Sequence, residues 1–141
     1  MDYIPKSIKT QVLIRANYRC EYCQTSQRIS GGQMHIEHVL PKAYGGKSTL
    51  GNLCLSCAWC NSFKWAKIVG IDPLTDQQVS LFDPRQQQWS EHFRWSDNGL
   101  YILGLTSIGR ATVETLNMNN QFIVPARANW VEAGWHPPMV D

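Results

Sequence analysis

The stretch HIEHVLPKAYGG, residues 35–46, decides how the first half of the chain folds. Alternation around Ile36, closed by Pro41, makes QMHIEHVLP (33–41) a short strand. KAYGGKSTLGN (42–52) is then a loop, punctuated by Gly45-Gly46 and Gly51-Asn52, and LCLSC (53–57) a second short strand. The first strand carries two histidines and a glutamate within four residues. Taken alone it is no more than a surface strand with polar residues, so its flanks must be weighed.

Both flanks are cysteine pairs, Cys20-x-x-Cys23 and Cys57-x-x-Cys60. Two such knuckles can place four thiolates tetrahedrally around one Zn²⁺, pinning the segment between them at its base. A thioredoxin-like redox pair would want a βαβ pattern beside its CxxC, and none is present. Cys54-x-x-Cys57 is also a CxxC, but Cys54 lies in the apolar run NLCLS and reads as a small core residue. Five cysteines is an odd number, which argues against a disulfide framework.

Further out, SIKTQVLIRAN (7–17) has Ile8, Val12, Leu13 and Ala16 at helical spacing, with Ser7 as the expected N-cap. NSFKWAKIVG (61–70) reads as a two-turn helix closed by Gly70. Beyond it the composition changes. Residues 79–106 mix short apolar runs with an Asn98-Gly99 turn, the mark of a hairpin. SIGRATVETLNMN (107–119) and PARANWVEAG (125–134) read as helices, the second with Pro125 near its start. The expected organisation is α+β, with residues 1–70 as a zinc-stapled core and 71–141 as a hairpin-plus-helices extension packed on or beside it.

Charge divides the same way. Residues 1–67 hold nine Lys+Arg against three Asp+Glu, and the remainder four against eight, so a net +2 conceals a basic first half. That balance fits a phosphate-bearing partner, although a solvated surface explains it equally well. No apolar run of the 141 residues approaches the roughly 20 needed to span a bilayer, and MDYIPKSIKT lacks the apolar stretch of a signal peptide. The expected location is the cytoplasm, where thiols stay reduced.

In order, the chain presents C-x-x-C (Cys20, Cys23), E-H-V-x-P (Glu37, His38, Val39, Pro41), G-G (Gly45, Gly46), N-L (Asn52, Leu53) and C-x-x-C-N-x-x-K (Cys57, Cys60, Asn61, Lys64). This order resembles the HNH endonucleases, and the likeness covers about residues 12–67. The resemblance implies a ββα-metal finger. It also implies hydrolysis of DNA phosphodiester bonds by single-metal chemistry, with contacts mainly to the DNA backbone as the helix bearing Asn61 enters the minor groove.

It assigns His38 as general base, a task suited to an imidazole with an ordinary pKa of about 6.5. Glu37 and Asn61 would hold the catalytic divalent cation, and their oxygen donors favour Mg²⁺ or Mn²⁺. Asn52 would brace the loop and orient the histidine. Lys64, three residues after Asn61, is placed to neutralise the scissile phosphate. Lys67, one turn on, reads as that or as a solvated lysine. His35 shares a strand face with Glu37 and is read either as a further ligand or as a structural histidine. His92 and the tryptophans at 89, 95, 130 and 135 read as structural, and His136 receives no role. The competing reading is a non-catalytic zinc-stapled nucleic-acid-binding module, for which Glu37, His38, Asn52 and Asn61 together have no use. A larger protein complex or a homodimer is compatible with either.

Overall fold

A computed structural model describes residues 3–139. The chain forms two units: the first runs to Ile68 and takes in Asp83–Gln87, and the second comprises Val69–Phe82 and the chain from Gln88 onward.

In the first unit, helix α1 (Lys6–Arg15) begins one residue before the expected cap. Pro5 occupies the N-cap, and its carbonyl accepts from the backbone of Ile8 and Lys9, which leaves Ser7 inside the first turn. The apolar positions behave as their spacing demands: Val12 is buried with Leu53 and Leu55, and Ile8, Leu13, Ala16, Met34 and Ile36 pack around them. After α1 the chain reverses through two residues of positive φ, Asn17 and Tyr18, into the first cysteine knuckle. A short helix, α2 (Gln27–Ser30), follows it, capped by the Ser26 hydroxyl.

Strands β1 (Met34–His38) and β2 (Leu53–Cys57) pair antiparallel, with Glu37 opposite Cys54 and His35 opposite Ser56. Met34 and Ile36 turn toward the α1 core, so His35 and Glu37 occupy the other face. Helix α3 (Ala58–Lys64) starts directly after β2. Here the sequence reading needs correction. Cys57 caps the helix by accepting from the Cys60 amide, which starts it three residues earlier than expected. It ends at Trp65, and Gly70 lies in a strand instead of closing a helix. Lys67 is therefore beyond the helix, exposed, with its ammonium on the Phe63 carbonyl at 3.2 Å.

The second unit begins with a hairpin that the sequence did not announce, β3 (Val69–Ile71) and β4 (Gln78–Ser80). Buried Asp72 shapes its turn, accepting from Leu74 and Thr75 and taking both arms of the Arg110 guanidinium at 2.9 and 2.8 Å. After α4 (Trp89–His92), the expected hairpin is present as β5 (Phe93–Trp95) and β6 (Ile102–Gly104), with Gly99 at φ +75°. Helices α5 (Ser107–Thr115) and α6 (Ile123–Glu132) complete the unit, the first capped by Thr106.

Its core gathers Leu81, Phe82, Phe93, Ile102, Ala111, Leu116 and Met118. Trp89 and Trp95 pack side by side, and buried His136 sits edge-on to Trp95 while bonding the Gly99 carbonyl. His92 bonds Thr106 and lies edge-on to Phe82. Trp135 remains exposed. Among the described residues, no helix is long and apolar enough to cross a membrane.

Candidate metal centre and active site

The two knuckles meet. Sulfurs of Cys20, Cys23, Cys57 and Cys60 all lie within 4.8 Å of one another, and all four residues are buried. A tetrahedron with Zn–S arms of about 2.3 Å has S···S edges of roughly 3.8 Å. The Cys23–Cys57 separation of 3.6 Å is close to that edge and far longer than a disulfide. In each knuckle the amide of the second cysteine donates to the sulfur of the first, Cys23 to Cys20 and Cys60 to Cys57, both at 3.4 Å. Such bonds stabilise thiolate charge. Burial pushes the Cys20 thiol up, and bonding among the sulfurs pushes Cys60 up and Cys23 down, so a dication would supply what lets the thiols ionise together. The donor set fits structural zinc. Cys54 lies outside the cluster, buried on the Glu37 face of the hairpin.

That face holds a buried carboxylate. Glu37 is 6% exposed, and its Oε2 accepts from the Tyr22 hydroxyl at 2.7 Å and the Cys54 thiol at 3.3 Å. Its Oε1 accepts no hydrogen bond from the described residues, and the Lys64 ammonium stands 3.6 Å from it. Burial pushes the Glu37 carboxyl above the usual carboxylate range, opposed chiefly by Lys64 and then by the two bonds to Oε2. Lys64 is 2% exposed and also donates to the Val39 carbonyl at 3.1 Å. A lysine expected at a phosphate is thus directed inward, as the counter-ion of the carboxylate. Glu37 Oε1 is thus a buried carboxylate oxygen that faces the Lys64 ammonium and lacks a hydrogen-bond donor among the described residues.

His38 ends β1, half-buried, with its Nε2 2.8 Å from the Ser48 hydroxyl. The loop that carries Ser48 is braced by Asn52. Its side-chain oxygen accepts from the Leu40 amide at 2.9 Å, and its nitrogen donates to the Leu40 and Lys47 carbonyls at 3.0 Å each. Gly46 completes the closure, because a Cβ there would lie 1.7 Å from the Leu40 carbonyl oxygen. Asn61 is half-buried in α3, the residue after the last zinc-site cysteine, and His35 is half-buried on the Glu37 face.

Residues 20–67 match the HNH endonuclease family. The matched HNH segment covers about a third of the chain and spans both knuckles, the β1–β2 hairpin and α3. No curated protein and no solved structure matches the chain.

Two participants in the HNH segment escaped the sequence reading. Tyr22 lies inside the first knuckle and supports Glu37 from there. Glu21, beside it, accepts from the Leu55 amide at 2.8 Å and pairs with Arg85, sixty-four residues away in sequence. A signal for Tyr22 existed, since a residue pinned between two zinc ligands must lie near whatever the clip encloses. None existed for Arg85.

Proposed function

We propose that the chain is a metal-dependent DNA endonuclease that hydrolyses phosphodiester bonds. The observation that carries this is the family match at residues 20–67, over a hairpin-and-helix unit bearing Glu37, His38, Asn52 and Asn61. Glu37 and Asn61 would hold one Mg²⁺ or Mn²⁺, which would supply positive charge against the phosphate oxygens and the departing oxygen. His38 takes the proton of the attacking water, its ring steadied through the Ser48 hydroxyl. Asn52 keeps the loop after β1 closed, so the base points the same way in every turnover. Lys64 preserves the Glu37 charge between turnovers instead of contacting the scissile phosphate. The zinc-site cysteines hold the scaffold and take no part in the reaction.

One observation favours the alternative of a zinc-stapled binding module. Glu37 is enclosed and already charge-compensated, as a purely structural carboxylate would be. Nicking of supercoiled plasmid separates the two. Zinc-loaded protein should nick with added Mg²⁺ or Mn²⁺ and not without. His38→Ala should lose about a hundredfold to ten-thousandfold in rate while retaining DNA binding. Binding without metal-dependent nicking, at low salt and high protein, would leave only the module.

A further inference from the structure

Helix α3 ends on a tryptophan that the fold does not use. Trp65 closes it at φ +52° and ψ −121°, where glycine is at ease and a bulky side chain is strained. Packing gives nothing back, because the residue is 80% exposed and its indole has no ring partner among the described residues. Trp59, on the same helix, behaves otherwise and stacks on Phe63 with planes 15° apart. A large flat ring is thus held in water at the end of the helix that carries Asn61.

The charge of the first unit bears on what such a ring meets. Lys67 is exposed two residues on, and Lys42 and Lys47 are exposed in the loop braced by Asn52. The first unit as a whole is strongly basic, with nine Lys+Arg against three Asp+Glu over residues 1–67. A partner that is both polyanionic and rich in flat apolar faces is a nucleic-acid strand. In a perfect duplex those faces are covered by neighbouring bases, so a ring reaches one at least cost where a base is unpaired.

We propose that Trp65 stacks on an unpaired nucleobase, and that the preferred substrate is single-stranded or locally opened nucleic acid, not uninterrupted duplex. This deepens the nuclease reading above and rests on it for the substrate class.

The test uses the full, zinc-loaded chain carrying His38→Ala, so that bound strands survive. Fluorescence anisotropy compares a labelled single strand, a duplex with an unpaired central loop and a fully paired duplex. Adding Trp65→Ala should weaken the first two about tenfold, within the range of one stacked base, and the third much less. Trp65→Phe should retain most of the affinity. Trp65→Gly should lose affinity as alanine does without a lower melting temperature, because it relieves the backbone. An effect below about twofold on the unpaired ligands, or an equal loss on all three, overturns the proposal. Binding through Trp65 by a wild-type chain that never nicks would support stacking and remove the nuclease. Nicking with no Trp65 effect would remove only the stacking.

Discussion

Lys64 and Glu37 show how burial changes what a residue means. A lysine on a short helix in a basic segment reads as a surface cation, yet this one is enclosed beside a carboxylate. Removing one member of a buried pair leaves the other uncompensated and typically costs about 3–5 kcal/mol, whereas removing both costs far less. Lys64→Met should therefore lower the denaturant midpoint sharply, and the double change Lys64→Met, Glu37→Gln should restore much of it. Equal stability of wild type and the single variant would mean that the ammonium does not compensate the carboxylate. Gly46 is constrained by space instead of charge. Gly46→Ala would drive a methyl into the Leu40 carbonyl, so it should open the Asn52-braced loop and reduce nicking even where zinc content is unchanged.

At the scale of elements, the cysteine cluster joins β2 to α3 through one residue, since Cys57 belongs to it and also caps the helix. Cys57→Ser should release zinc and lower the melting temperature, because the ion's binding energy is folding energy. Cys54→Ala should keep one zinc per chain, as metal analysis would show. These cysteines and the two strands were legible because CxxC spacing, alternation, Pro41 and Gly45-Gly46 act locally. The ends of α3 were not, since its start depends on a cysteine cap and its stop on a strained tryptophan that no propensity favours. The β3–β4 hairpin was hidden for a related reason: its strands have three residues each, and its turn is made by the side chain of Asp72. Of the proposed site, Glu37, His38, Asn52 and Asn61 stood out as an ordered pattern. The inward turn of Lys64 and the support from Tyr22 are facts of packing, which spacing does not encode.

At the scale of the molecule, the two units rest on different electrostatics. The second is tied by Asp72 and Arg110, whose hydrogen bonds hold the aspartate well below the usual carboxylate range. A carboxyl depressed on folding stabilises the native state above its ordinary pKa, and that contribution disappears as pH falls through the lowered value. Asp72→Asn should thus be most costly near neutral pH. Its deficit against wild type should shrink from about pH 4 downward, as acid–urea titrations would reveal. A constant deficit across that window would contradict the assignment.

Asp83–Gln87 returns to the first unit after the chain has left it, and Arg85 in that stretch clasps Glu21 within the first knuckle. Anyone excising the HNH-like segment by stopping at Ile68 would discard that clasp along with the tail. Such a fragment should hold zinc less firmly than the same length of chain supplied with Asp83–Gln87 through a grafted linker. The module's border in space is not a single cut in its gene.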